Sequence, residues 1–339
     1  MIQKKCVVIV AGPIEGQQLH DGFLKLSYES HLFIYSNPAQ SGIRPRWLAQ
    51  LQKLKNPQNF LYSAFNRTLR TRVIPLVEKI RPGFILVYKG HYLENDNREW
   101  LERLGCPIAF WANDSMSRIH SQNHAAELAT YRFYIDGGDV KDEHDVWLPV
   151  GYDPEVCRFD NVTIKYDIGY VGRMLDDRYI RRREYLLRLS NSSLPNKYLC
   201  VAACGEGTKK DQAKLDAQLT FPNKGWLPYD EYRKFVAETG ICINIHQNDG
   251  IMPINPMFFN IPGLNVCQIA EDRDYFAEWL EPWKEYVPFN ETNYLELVSM
   301  IAENRELKER IAKAGLKRVE DSHTFYHRAM TIAEYMEKV

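Results

Sequence analysis

The stretch YDIGYVGR, residues 166–173, is an apolar run that ends in Gly-Arg, and the rest of the chain repeats its strand-like pattern. Apolar runs without alternation are typical of parallel strands that are covered on both faces. A glycine at the end of such a strand lets the backbone approach a phosphate, and an arginine offers a planar set of N–H donors for a diphosphate. The segment therefore predicts a strand that ends at an anion site. A solvated basic start of the next helix remains the alternative.

Short apolar runs of the same kind lie on both sides of this stretch, with helical periodicity between them. Towards the N-terminus they cover residues 6–10, 31–35, 84–88, 108–112 and 133–135. Towards the C-terminus they cover residues 198–202, 241–245, 264–269 and 285–289. Alternation of strand and helix predicts an α/β fold with doubly wound parallel sheets.

A polar stretch between two series of strand-like runs marks the domain boundary. Gly151, Pro154 and scattered polar residues separate two strand-like runs over residues 149–165. We therefore predict two Rossmann-like domains, residues 1–155 and 156–339. Ligands bind at the carboxyl ends of the strands in such sheets, so two of these edges predict an enzyme with a cleft between its domains.

Composition excludes several classes of protein. The 339 residues carry a formal net charge of −1, which argues against a globally basic nucleic-acid binder. No apolar run approaches the roughly 20 residues of a membrane-spanning helix, and seven cysteines without paired spacing favour a reducing, cytoplasmic location. Cys200 and Cys204 lack the further ligands of a zinc site, so no metal site is predicted.

Two further segments have the composition of ligand-binding turns. Gly205-Glu206-Gly207 follows a strand-like run, although any tight turn favours glycine. His246 follows another run and opens a loop to residue 260 that is rich in Asn, Asp, Gly and Pro. Polar side chains that directly follow a buried strand predict a binding loop.

In chain order these segments resemble the C-terminal domain of glycosyltransferases with the two-Rossmann GT-B architecture. The closer resemblance is to the spore-maturation-protein-B-like (CgeB-like) group among the group 1 glycosyltransferases. It covers residues 166–335 and is carried by YDIGYVGR, GWLPYDEY, ICINIH, PGLNVCQIAEDRDYF, KEYVPFNETNYLELVSMIAEN and RIAKAGLKRVEDSHTFYHRA. RPGFILVYKG and IAFWANDS extend a weaker similarity into the first half.

The resemblance implies that the second domain binds a nucleotide-diphosphate sugar and that the enzyme transfers the sugar to an acceptor hydroxyl without a metal or other cofactor. It also implies that the final helix packs back on the first domain, and that a helix beginning near Gly263 directs its dipole at the donor. Carried over by position, it implies donor-binding roles for Gly172, Arg173, Arg178, Arg183, Glu206, His246, Asp249, Asn255, Asn260, Gly263 and Leu264.

One position departs from the family pattern. Related enzymes usually carry an Arg and a Glu ahead of the glycine, and counting back from Gly263 places Asn255 and Phe258 there. A phenylalanine cannot accept a hydrogen bond from a sugar hydroxyl. We therefore expect Phe258 to pack in the core and Asp249, Asn255 or Asn260 to replace the carboxylate. A protein that binds sugar nucleotides without catalysis, or a structural protein, is the alternative.

The acceptor side offers three candidate bases. His20, His91 and Asp114 lie in or near loops that follow strand-like runs of the first domain. A base is needed to deprotonate the acceptor hydroxyl in an inverting transfer. An ordinary helix cap at Asp114 and a surface loop histidine at His91 are the alternatives.

A basic segment of the first domain leaves the chemical class of the acceptor undecided. Between residues 37 and 81 the only acidic side chain is Glu78. The cations there are Arg44, Arg46, Lys53, Lys55, Arg67, Arg70, Arg72, Lys79 and Arg81. A solvated helix face is one explanation, and an anionic acceptor or a membrane surface is the other. A phage-type glycosyltransferase that acts on modified DNA bases is a further alternative, which the net charge does not favour.

Overall fold

The structure is a computed structural model, and it divides the chain into two compact units. It describes residues 5–34, 66, 67, 69–90, 99, 101–117, 122–155, 159, 162–173, 179–193, 199–202, 217–219, 225, 227–246 and 250–339. The first unit comprises Met1–Val150, Gly250–Pro253 and Phe325–Val339, and the second comprises Gly151–Asp249 and Ile254–Thr324. The main division thus falls at Val150, slightly before the predicted residue 155.

The first unit contains a parallel sheet of six strands. They are β1 (Cys6–Ala11), β2 (Glu29–Ile34), β3 (Phe84–Tyr88), β4 (Ile108–Trp111), β5 (Tyr131–Tyr134) and β6 (Asp145–Trp147), in the order β2-β1-β3-β4-β5-β6. Its helices include α1 (Pro13–Lys25), α2 (Ile74–Ile80), α3 (Asn123–Glu127) and, from the end of the chain, α9 (Phe325–Met336). A π-helical turn at Leu69–Val73 leads into α2.

Strand β1 shows why its sequence is apolar at every position. All six of its residues are buried. Val7 and Ile9 belong to the cluster that includes Leu19 of α1, whereas Val8 and Val10 pack in a second cluster on the other face. A strand covered on both faces gains from burying every side chain, which removes the alternation seen in half-exposed strands.

The last helix completes one side of this core. Phe325, Ala329 and Ile332 of α9 are buried in the cluster that contains β1 and α1. The helices α1 and α9 approach so closely that a Cβ atom on Gly22 would lie 3.1 Å from the Cβ of Ala329. Among the described residues, no helix combines the length and the apolar character that crossing a bilayer requires.

The second unit contains a parallel sheet of five strands. They are β7 (Tyr166–Val171), β8 (Leu199–Ala202), β9 (Thr239–Asn244), β10 (Cys267–Glu271) and β11 (Val287–Phe289), in the order β11-β10-β9-β7-β8. Its helices are α4 (Ile180–Ser190), α5 (Tyr229–Ala237), α6 (Met257–Gly263), α7 (Tyr294–Glu303) and α8 (Arg305–Ser322). Strand order and parallel pairing confirm the predicted Rossmann-like fold.

Helix α6 corrects one prediction. The sequence predicts a loop to residue 260 and a helix that begins near Gly263, but the helix begins at Met257 and ends at Gly263. The prediction failed because a proline normally argues against the interior of a helix. Pro262 nevertheless lies in the last turn of α6, where it has no N–H to donate to the carbonyl of Phe258. The side chain of Gln268 donates to that carbonyl instead, at 3.2 Å, and so satisfies the acceptor that the proline leaves open.

Candidate functional site

Three neighbouring strands of the second sheet end side by side. Strand β9 pairs with β7 on one side and with β10 on the other. The segments that leave this edge therefore begin with Gly172 after β7, Ile245 after β9 and Asp272 after β10. The carboxyl edge of a parallel sheet is where ligands bind in folds of this kind.

His246 is almost completely buried at this edge. It is 1% exposed, and its ring lies 4.5 Å from that of Phe276 and 5.8 Å from that of Phe258, measured between centroids. Burial, with Arg273 and Arg182 nearby, lowers its pKa well below the usual histidine value. The imidazole is therefore neutral near pH 7. Neither ring nitrogen has a hydrogen-bond partner among the described residues.

Glu271 holds His246 from the end of β10. Its Oε2 accepts a hydrogen bond from the backbone N–H of His246 at 2.7 Å and lies 3.2 Å from Nη2 of Arg273. Its Oε1 lies 3.0 Å from Nη2 of Arg181, yet it accepts no aligned hydrogen bond from a described residue. The hydroxyl of Tyr170, buried in β7, is likewise without a described partner. Polar atoms buried in this way cost about 1–3 kcal/mol each unless a ligand or water satisfies them.

Arginines begin the helix that follows β7. Arg181, Arg182 and Arg183 lie in the first turn of α4, as the basic run predicts. Nε of Arg182 donates to the carbonyl of Ile245 at 2.9 Å, which fixes its guanidinium beside the segment that carries His246. Arg173 follows β7 and is exposed. Its carbonyl lies 3.4 Å from Nη1 of Arg182.

A closed ring of amide hydrogen bonds fixes the start of α6. Asn255 Oδ1 accepts from the N–H of Phe258 at 3.1 Å, and Asn255 Nδ2 donates to Asn244 Oδ1 at 2.8 Å. Asn244 Nδ2 donates in turn to Gln268 Oε1 at 3.0 Å. Gln268 Nε2 donates to the carbonyl of Phe258, which closes the ring. Asn255 therefore caps a helix in this structure. Phe258 is fully buried, which confirms its predicted place in the core.

Gly263 has a packing role that the sequence analysis did not foresee. The Tyr152 hydroxyl donates to its carbonyl at 2.5 Å, and a Cβ atom on Gly263 would lie 2.4 Å from the ring of Tyr152. Asn260 and Leu264 are both 7% exposed, the first inside α6 and the second directly after it. The helix end at Gly263 presents carbonyl groups, so the predicted helix dipole for the donor is wrong at this position.

Gly172, for which the sequence predicts a close approach of the backbone to a phosphate, has no room for a side chain. A Cβ atom there would lie 2.3 Å from the hydroxyl of Tyr170, so any side chain would displace that hydroxyl. Four predicted residues lie outside the described part of the chain: His91, Arg178, Glu206 and Asp249.

The first unit has its own polar carboxyl edge. Asp114 follows β4, and Asp139 follows β5 in the 3₁₀ turn Gly137–Asp139. Asp139 Oδ2 accepts from the N–H of Met116 at 2.8 Å, and burial is the main cause that raises its pKa. His20 lies away from this edge, because its Nδ1 is 2.9 Å from Oγ of Ser30, near the start of β2.

Sequence reasoning missed three members of the second unit's site: Tyr170, Glu271 and Arg273. The signal for two of them was present, since Glu271-Asp-Arg273 ends an apolar run in the same way as Gly172-Arg173 does. The buried hydroxyl of Tyr170 gave no signal, because strands of this kind contain many aromatic residues that only pack.

Comparison with known proteins agrees with this fold. Residues 183–334 match a family model described as glycosyl transferase-like. The HepE protein of Anabaena in complex with UDP and glucose is 11% identical over 98% of this chain and 100% of its own, with a TM-score of 0.65. A glycosyltransferase from Rickettsia africae is 11% identical over 100% and 99%, with a TM-score of 0.62. No curated protein sequence matches the chain.

The fold alone does not separate sugar transfer from other reactions. UDP-GlcNAc 2-epimerase from Neisseria meningitidis, solved with UDP-GlcNAc, is 12% identical over 98% of this chain and 100% of its own, with a TM-score of 0.57. The family model, which covers most of the second unit, is one of glycosyl transferase-like proteins and favours sugar transfer. The closer resemblance to the CgeB-like group stays a prediction. The chain therefore has the two-domain GT-B fold, and residues 183–334 carry a glycosyl transferase-like domain.

Proposed function

We propose that the chain is a glycosyltransferase that takes its sugar from a nucleoside-diphosphate donor held at the carboxyl edge of the second sheet. The observation that carries the proposal is the combination of arginines with the buried ring nitrogens of His246 and the buried hydroxyl of Tyr170, which make no hydrogen bond to a described residue. Arg182 donates to the carbonyl next to His246, and both Arg181 and Arg273 pair with Glu271. Guanidinium groups match the oxygens of a diphosphate, and unsatisfied buried atoms match the hydroxyls of a sugar.

The arginines stabilise the leaving group. When the bond between the sugar and the diphosphate breaks, negative charge grows on the phosphate oxygens. Arg182 is held in place by the carbonyl of Ile245, so its charge needs little reorganisation during the reaction. Arg173 adds a second guanidinium directly after β7. We infer that these side chains do the work that a divalent metal does in other sugar transferases, and that the enzyme needs none.

His246 and Glu271 bind the sugar. A neutral imidazole both donates and accepts a hydrogen bond, which suits a hydroxyl better than a phosphate. Oε1 of Glu271 lies 3.0 Å from Nη2 of Arg181 without an aligned hydrogen bond from a described residue, and a carboxylate oxygen can accept a further hydrogen bond from a sugar hydroxyl. Glu271 therefore replaces the carboxylate that related enzymes carry at the position of Phe258, a role that the sequence analysis assigned to Asp249, Asn255 or Asn260.

We assign the acceptor site to the first unit. Asp114 follows β4 at the carboxyl edge and is our candidate base for the acceptor hydroxyl in an inverting transfer. Five cations of the basic segment are described, and all are exposed: Arg67, Arg70, Arg72, Lys79 and Arg81. Their density favours an acceptor with negative charge.

The donor site is tested by removing single arginines. We expect Arg173→Ala and Arg182→Ala each to weaken binding of UDP by roughly ten- to a hundredfold, because a charge-assisted hydrogen bond is worth about 1.5–3 kcal/mol. Binding of uridine alone should change little. Arg188→Ala is the matched control, since Arg188 lies in the last turn of α4 and donates to the carbonyl of Glu291. Titration calorimetry gives the three affinities.

The donor base and the reaction need a wider assay. Thermal shift with UDP-, GDP-, CMP- and dTDP-sugars identifies the nucleotide, and the same donors are then offered with anionic glycans, lipids and DNA that carries hydroxymethylated bases. Turnover should persist in excess EDTA. Binding of a donor without transfer to any acceptor class would favour the binding protein, and arginine variants that bind UDP normally would remove this edge from the site.

A further inference from the structure

The turn that follows β5 binds a distant segment of the chain. The carboxylate of Asp136, which is 1% exposed, accepts hydrogen bonds from the backbone N–H groups of Met252 at 2.7 Å and of Ile251 at 3.2 Å. It also accepts from the N–H of Gly138 at 2.9 Å, and the N–H of Gly137 donates to the carbonyl of Met252 at 3.2 Å. The carboxylate thus satisfies two consecutive N–H groups of a segment more than a hundred residues away in sequence.

The fit between turn and segment leaves no room for extra atoms. A Cβ atom on Gly137 would lie 2.6 Å from Cε of Met252, and one on Gly138 would lie 2.4 Å from Cβ of Ile251. On the opposite side, a Cβ atom on Gly250 would lie 2.0 Å from Oδ2 of Asp136. Glycines are thus required on both sides of the contact, which indicates a specific docking and not a chance approach of a surface loop.

The docked segment Gly250–Pro253 is the middle of the loop that joins β9 to α6. His246 stands at the start of this loop, and Asn255, which fixes the start of α6, stands at its end. We propose that Asp136 is a positioning residue for donor binding, because it holds Gly250–Pro253 in place between these two residues. The proposal rests on the proposed donor site for its ligand, but the docking itself is independent of any ligand.

A carboxylate is suited to this task. Each of its oxygens accepts from at least one backbone N–H, and hydrogen bonds to an ionised acceptor are about twice as strong as neutral ones. Without the carboxylate, the N–H groups of Ile251 and Met252 would lose these acceptors. The segment Gly250–Pro253 would then visit other conformations. Ordering it again on binding would cost entropy and so weaken the affinity for a donor.

Two variants of Asp136 separate charge from hydrogen bonding. Asp136→Ala removes all three accepted bonds, whereas Asp136→Asn keeps Oδ1 and turns an NH₂ group towards the N–H of Ile251. The matched control is Asp142→Asn, an exposed carboxylate of the same unit that pairs with Arg132. For each protein, hydrogen exchange is followed by mass spectrometry on peptides that contain Ile251 and Met252. Calorimetry with UDP then gives the affinity.

We expect exchange at Ile251 and Met252 to accelerate at least tenfold in Asp136→Ala and by less in Asp136→Asn, with no change in the control. We also expect the dissociation constant for UDP to rise at least fivefold in Asp136→Ala, while exchange in β9 and β10 stays as in the wild type. Unchanged exchange would overturn the docking, whether or not a donor binds. Faster exchange with unchanged UDP affinity would overturn the positioning role. A wild-type protein that binds no nucleotide would instead refute the proposed donor site, and the exchange data would still decide the docking.

Discussion

At the scale of single residues, Phe258 and His246 depend on each other. The ring of Phe258 lies 4.4 Å from that of Phe276 and 5.5 Å from that of Tyr286, so it contributes to the apolar surroundings of the imidazole. Replacing a polar residue by phenylalanine removes a hydrogen-bond acceptor and lowers the local polarity. Both effects favour a neutral histidine, which links the departure from the family pattern to the protonation state of its neighbour.

The lowered pKa of His246 makes stability depend on pH. In the unfolded chain this histidine binds a proton below about pH 6.5, whereas in the folded protein it stays neutral to a lower pH. The unfolded state then binds more protons, so the free energy of unfolding falls as the pH falls below 6.5, by up to about 1.4 kcal/mol per pH unit from this group. Well above pH 6.5 neither state binds this proton, so the group contributes no slope there.

Urea unfolding at pH 7.5, 6.5 and 5.5 measures this effect. We expect His246→Phe to lose the contribution of this group between pH 6.5 and 5.5, and His144→Ala to retain it. His144 is an exposed histidine near Glu143 and serves as the control. The same pH dependence in wild type and His246→Phe would contradict a neutral, buried imidazole.

At the scale of elements, α6 shows how a short helix accommodates a proline. The carbonyl of Phe258 receives its hydrogen bond from the side chain of Gln268 on β10, because Pro262 has no N–H to give. The same side chain accepts from Asn244 on β9. One glutamine thus connects strands β9 and β10 to helix α6.

A double-mutant cycle tests whether the side chain of Gln268 takes the place of the N–H that Pro262 lacks. Gln268→Leu should lower the free energy of unfolding by about 1–3 kcal/mol, since it leaves buried polar groups unsatisfied. In a Pro262→Ala background residue 262 regains an N–H, so the same change should cost less. Urea unfolding of the four proteins gives the coupling energy. A cost that is equal in both backgrounds would show that the two donors do not substitute for each other.

At the scale of the whole molecule, a ligand should stabilise the unit that binds it. A donor at 100 times its dissociation constant stabilises the folded state by about 2.7 kcal/mol. We expect UDP to slow hydrogen exchange in β9 and β10 of the second unit more than in β1 and β3 of the first. Uridine at equal concentration is the control. Protection that is confined to β1 and β3 would place the nucleotide in the wrong unit.

The sequence predicts the strands of both sheets better than it predicts the site. Phe84–Tyr88 is predicted to the residue, because a strand buried on both faces is apolar throughout. Strand β6 was missed because Asp145–Trp147 is short and half-buried. Glu271 was missed for a different reason: its importance depends on which strands are neighbours, and a linear chain does not display the order of its sheet.

The contribution of α9 to the first core has a consequence for synthesis of the protein. A ribosome delivers β1 to β6 early, but the buried side chains of Phe325, Ala329, Ile332, Ala333 and Met336 emerge only after the entire second unit. Until then the face of α1 that receives α9 is uncovered, and the nascent first unit exposes apolar surface while residues 151–324 are translated. The protein therefore has a long interval in which a chaperone can bind, and in which premature termination leaves a fragment prone to aggregation.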